Sequence, residues 1–206
     1  MAAMLALMQQ AMVEMGLSSP TTVAGNTNQD VTQTLALMNA VQYELQRQHQ
    51  WQGITKEYRF TAVAYTYTAT VTDTSTTISV LSSTTGLTTT PTYFMVTGTG
   101  INQDTYLVSV NAGALTAVLS QAASASGTAV SLTFSQTKYA MPSDYDRLVD
   151  ATDWDKSKHW QMLGPETAQQ WQWLKSGYIS TGPRIRFRQL GSLFQIWPPS
   201  GITDLL

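Results

Sequence analysis

Three arginines at alternate positions, Arg184, Arg186 and Arg188, form the most distinctive charged feature of the sequence. On a strand they project from one face about 7 Å apart. Such a row can be a solvated hairpin face, pair with acidic groups of a neighbouring subunit, or line a passage for DNA. Three arginines in one chain make a weak patch, but repeated around a ring they become a continuous positive belt.

The richest acidic run, Asp144 to Asp155, begins like a calcium loop. It fails where an oxygen ligand and a turn glycine are required, because Leu148 and Val149 occupy those places. A pair of its carboxylates has the chemistry of a glycosidase, yet only nearby tryptophans hint at a sugar cleft. The plainer reading has these acids pairing with Arg147, Lys156 and Lys158 and capping turns. His49 and His159 are the two imidazoles, and their separation makes no metal motif. Gly98-Thr99-Gly100 has no lysine after it and opens no helix, so it is no phosphate loop. No G-x-S-x-G sequence occurs. The expectation is a protein that is not an enzyme, with no cofactor and no bound metal.

Composition points the same way. Charged residues make up 12% of the 206 residues, about half of what is usual. A weakly charged surface tolerates burial by neighbours. The net charge of -2 gives no basic excess for nucleic acid as a primary ligand. Cysteine is absent, which excludes disulfides, thiolate metal sites and a thiol nucleophile. The apolar start, Met1 to Leu17, lacks a basic leader and is broken by Gln9, Gln10 and Glu14, unlike a signal peptide. No apolar run is long enough to cross a membrane, so the expected setting is the cytosol or a particle assembled there.

Three zones must position these residues. The first, to about Trp51, reads as two helices that pack antiparallel. Met1, Leu5, Met8, Met12 and Met15 line one face, and Leu35, Met38, Val41 and Leu45 give the buried face of the second. Asn28 or Asp30 caps that helix. The second zone, residues 65–135, carries only Asp73 and Asp104 as charges, and about half of residues 61–100 are Ser or Thr. Strands are expected near residues 65–71, 77–81, 93–96, 105–110, 116–119 and 129–134. The third zone, from Lys138, holds five of the six tryptophans. A helix is expected from Pro165 to Ser176, then a hairpin of Arg184–Leu190 and Leu193–Trp197 turning at Gly191-Ser192. That register pairs Phe187 with Ile196 and sets Arg186 opposite Trp197, within cation–π reach. The fold class expected is α+β. A discontinuous helical bundle base with a C-terminal β-hairpin (residues 1–64 and 136–206) carries an inserted antiparallel β-sandwich or barrel (65–135). Strand-like sequence at Glu57–Phe60 and Leu132–Lys138 flanks the insert.

Several segments resemble one family. Met141-Pro142-Ser143-Asp144-Tyr145-Asp146-Arg147-Leu148 is similar to the "LPxDFxRL" stretch of head-to-tail adaptor (connector) proteins of short-tailed and related tailed bacteriophages. Trp160–Gly164, Pro165-Glu166 and Trp171 follow in the same order. The Arg184–Pro198 hairpin resembles their "RIRGxxFxIyP" strand pair, and Leu35–Trp51 resembles their second helix. The β-zone is similar to small modules of phage structural proteins. The resemblance implies a helical bundle with a β-element, in a closed ring, usually of twelve copies. The ring joins the portal protein to the tail nozzle or tail tube and lets genomic DNA through without sequence specificity. It implies a place at the head–tail junction of the virion, assembled in the host cytoplasm, and no membrane. The chain ends at Leu206, which leaves the C-terminal docking arm of that family short. The residues expected to form the interface or channel are Arg184, Arg186, Arg188, Trp171, Trp173 and Trp197. The alternative is a carbohydrate-binding or adhesion β-module, suggested by Tyr65, Tyr67 and Tyr93.

Overall fold

The computed structural model describes residues 2–87, 93–149, 151–176 and 185–199. The chain divides into two compact units, Met1–Glu57 and Tyr58–Leu206.

The first unit is a helical hairpin. Helix α1 spans Ala2–Glu14 and α2 spans Gln29–Gln48. The Asn28 side chain accepts from the Asp30 backbone N–H, so Asn28 is the cap. A 3-10 turn, Gln52–Ile54, ends the unit. Its core is small: Met8, Met12 and Val31 are buried, with Leu17, Val23, Leu35 and Met38 packed against them.

The second unit is mainly β. Strands β1 (Ala64–Val71), β2 (Thr77–Ile78), β3 (Phe94–Gly98), β4 (Thr105–Asn111), β5 (Thr116–Leu119) and β6 (Gly127–Gln136) form one sheet, in the order β1-β6-β3-β4-β5-β2. Ser79, just past β2, bridges Thr70 of β1, so the sheet curls back nearly to a barrel. Alternate side chains fill the inside, including Ile78, Leu107, Leu132 and Phe134. Strand β7 (Lys138–Ala140) follows β6 after one residue and joins a second sheet with β10 (Arg186–Leu190) and β11 (Leu193–Trp197), in the order β10-β11-β7. Between them lie a small ladder, β8 (Trp154–Asp155) with β9 (Trp160–Gln161), and helix α3 (Ala168–Lys175). Thr167 and Gln170 close a capping box that starts α3.

The helical bundle base is therefore corrected. Only α3, eight residues long, is helical in the described part of the third zone. The foundation there is the sheet β10-β11-β7, whose buried face is Tyr139, Ile185, Phe187, Phe194 and Ile196. The strand-like segment Glu57–Phe60 forms no strand. Instead it brings Phe60 against Tyr139, ring centroids 4.5 Å apart, and against Phe194 at 5.5 Å. The Tyr139 hydroxyl donates to the Gln136 carbonyl and accepts from the Val63 N–H. Burial pushes its pKa up to about 12. The hairpin register is as the alternation requires: Phe187 pairs with Ile196 and Arg186 with Trp197.

Candidate functional site

Three of the expected site residues, Arg188, Trp171 and Trp197, meet at a corner built by α3. Trp171 and Leu174 from α3, Met95 from β3 and Trp197 from β11 form one buried cluster, with Tyr106 of β4 against it. The helix thus seals the seam between the near-barrel and the three-stranded sheet. The face of that sheet toward α3 is polar. Arg188 pairs with Gln195, and Gln195 with Lys138, so the three stand in one row across β10, β11 and β7.

The cations in this corner are held in place. The Arg188 guanidinium lies over the Trp171 ring, 4.7 Å from its centroid, and its Nε donates to Gln195 Oε1 at 2.6 Å. Lys175 Nζ is 2.9 Å from Asp104 Oδ2 and 5.0 Å from the Tyr106 ring centroid. Lys138 Nζ sits 5.7 Å from the Tyr93 ring centroid. Burial lowers the pKa of the Lys138 ammonium, and the charges of Lys175 and Arg188 lower it further. Burial also lowers that of Arg188. The Tyr106 phenol is driven above its ordinary range, first by burial and then by the Asp104 carboxylate.

Other sequence expectations come out differently. Arg186 does not lie on Trp197: its Nη1 donates to Glu166 Oε1 at 2.7 Å. Leu163 runs beside β10, exchanging backbone hydrogen bonds with Ile185 and Phe187, and this carries Glu166 to Arg186. Trp173 faces away from the corner and is exposed. Arg184 lies outside the described residues. Sequence reasoning missed Lys138, Lys175, Gln195, Asp104 and Tyr106, because their proximity depends on α3 bridging two sheets. The strand-like character of Leu132–Lys138 was the one available hint for Lys138.

The Arg186 pairing changes what substitution does. From sequence, Arg186→Glu is expected to weaken assembly at low salt more than stability. In the structure it places a second carboxylate beside a mostly buried one. It should therefore cost fold stability, about 1–2 kcal/mol, between the values for exposed and buried pairs, because Arg186 is partly exposed. Urea unfolding of Arg186→Glu beside Arg186→Met checks this: the glutamate variant should be clearly the weaker, and equal midpoints would contradict it.

The acidic run does local structural work. Asp155, buried, accepts at Oδ1 from the Ser157 N–H, the Ser157 hydroxyl and the Lys158 N–H. Among the described residues, no three His, Cys, Asp or Glu side chains are gathered in a metal-binding group. Tyr65, Tyr67 and Tyr93 pack partly buried against the barrel core, with the Tyr65 and Tyr67 rings stacked at 6.1 Å. Among the described residues, no helix is long and apolar enough to cross a membrane.

In comparisons with family models, curated proteins and solved structures, none matches this chain.

Proposed function

We propose that this chain is a structural subunit of a tailed-phage particle, a head-to-tail adaptor that forms a ring with copies of itself. The ring links the portal to the tail nozzle or tube and leaves a channel for DNA. Its place is the head–tail junction of the virion, after assembly in the host cytoplasm.

The observation that carries this reading is the apolar stripe of α2. At 1.5 Å per residue α2 is about 30 Å long and α1 about 20 Å. The stripe begins buried at Val31 and continues through Leu35 and Met38 to Val41 and Leu45, which are 57% and 49% exposed. Leu37 and Tyr43 beside it are also exposed. Among the described residues of this unit, the buried hydrophobic cluster is Met8, Met12 and Val31, little for a separate core, so the exposed half of the stripe is a surface to be covered. Trp51, Trp154, Trp160 and Trp173 are exposed as well and supply aromatic anchors. The low charge density makes covering these surfaces inexpensive. The segments resembling adaptors name the assembly. With Arg186 paired to Glu166 and Arg188 stacked on Trp171, the weight of the interface falls on the apolar residues.

Light scattering with the portal protein tests this. The wild type should join a multi-subunit ring, and Val41→Asp with Leu45→Asp should remain at the 22.6 kDa of one chain while keeping its circular dichroism. A wild type that stays at one-chain mass with the portal would sink the reading.

A further inference from the structure

We propose that the helical hairpin of the first unit holds, in the furrow between α1 and α2, an amphipathic helix of another protein whose apolar ridge is flanked by lysines or arginines. The inference rests on reading the exposed α2 stripe as a covered surface, and it names what covers it.

The furrow follows from the spacing. On α2, Leu37, Val41 and Leu45 recur every four residues and form one ridge, 62%, 57% and 49% exposed. On α1, Met4 and Leu7 are 41% and 57% exposed. At 3.6 residues per turn, each ridge lies to one side of its own helix's buried residues, Met8 and Met12 on α1, Val31 and Thr34 on α2, and in the same rotational sense. The helices of a hairpin run antiparallel, so the same sense of rotation turns both ridges to the same side of the pair. Two apolar ridges side by side accept a third helix through anchors at i, i+3 or i+4, and i+7. The composition of α1 agrees. Apart from Gln9, Gln10 and Glu14 its 13 residues are apolar, and a helix apolar most of the way round is covered on more than one side.

Charge names the partner. Seven residues are close to two turns, so Glu14 stands in line with Leu7, and Glu44 with Leu37. Both carboxylates accept from neutral amides, those of Gln10 and Gln48, which leave the charge in place. Arg47 is the only basic residue in the sequences of the two helices, and it is turned about 80° round the helix from Leu37. The face is thus apolar with an acidic edge. A second copy would set carboxylates against carboxylates, and the same patch on both copies closes at two chains instead of a ring. A helix with cationic flanks satisfies both the ridges and the edge.

The test is fluorescence anisotropy with the full chain and two labelled peptides of about 18 residues, close to the length of α2. Both carry leucines on one helical face; lysines flank the leucines in one and glutamates in the other. The lysine peptide should bind, and the glutamate peptide should bind at least about 10-fold more weakly. Glu14→Gln with Glu44→Gln should weaken the lysine peptide about 5-fold, the effect of two exposed ion pairs, and added salt should shrink that difference. Leu37→Gln with Val41→Gln should abolish binding while the circular dichroism stays that of the wild type. Equal binding of the two peptides, no binding of either, or binding that survives in the ridge variant would each overturn the inference. So would light scattering that finds the chain alone paired through this face, a pairing lost in the ridge variant, because the occupant is then a second copy. The adaptor reading is decided apart from these results, by whether the chain joins a ring with the portal.

Discussion

Trp171→Ala should lower the stability of the second unit by about 3–5 kcal/mol, the range for truncating a buried tryptophan. Trp171 is 3% exposed and packs with Met95, Leu174 and Trp197. Its removal opens a cavity at the seam between the near-barrel and the three-stranded sheet. It also strips Arg188 of the ring it lies on, leaving a part-buried cation with less support. Domains of this size are stable by only about 5–15 kcal/mol, so the variant should unfold at much lower urea. Trp173, two residues along the same helix, is 58% exposed. Trp173→Ala should move stability by no more than about 0.5 kcal/mol. Urea titration followed by far-ultraviolet circular dichroism checks the pair. Equal losses in the two variants would contradict the placement of α3.

Gly164→Ala is the second large effect, about 2–4 kcal/mol, from strain at a positive φ together with overpacking. Gly164 has φ of +151°. A Cβ there runs into the Phe187 carbonyl oxygen and stands 3.0 Å from the Phe187 ring. That carbonyl accepts the Glu166 N–H at 2.9 Å, and the Phe187 N–H donates to the Leu163 carbonyl at 2.9 Å. The segment from Leu163 to Glu166 is thus stitched to β10, and the stitching delivers Glu166 to Arg186. A methyl group forces the two strands of chain apart and loosens the ion pair with them. Gly53, with open space around its added Cβ, is the control, and Gly53→Ala should be nearly neutral. The same urea titration reads both, and an unchanged midpoint for Gly164→Ala would show that the close approach is wrong.

Much of the secondary structure was legible because its periods are clean. The 3.6-residue spacing of Met8 and Met12 in the first helix, and of Leu35 and Met38 in the second, marks the helical hairpin. The two-residue alternation of the third zone fixes the hairpin and its Phe187–Ile196 register. The strands β1 and β3 to β6 lie within two residues of the expected Thr- and Val-rich runs, whereas β2 stops at Ile78, three residues before the expected end at residue 81. The base was misread for a physical reason. Strand β7 is three residues long, too short to show a period, and without it the hairpin has no sheet to join. The segment Glu57–Phe60 has strand-like composition but serves as a lid of aromatic side chains over that sheet's core.

Periodicity also reports which helix face is apolar, not how far a partner covers it. Val41 and Leu45 belong to the same stripe as Met38, yet α1 is too short to reach them. At the corner, sequence placed three arginines on one face but gave no means of choosing their partners. Arg186 went to Glu166 and Arg188 to Trp171 because of two tertiary events, the run of Leu163 beside β10 and the docking of α3. Both depend on contacts between segments far apart in the chain.

We propose that this chain works buried among its own copies at the junction of head and tail. Electron microscopy of the purified virus particle, with the chain labelled at its N-terminus, tests it most directly. A closed ring of label directly beneath the portal is the expected result. Particles with no label at that junction, and a single-chain species left free in the lysate, would contradict it.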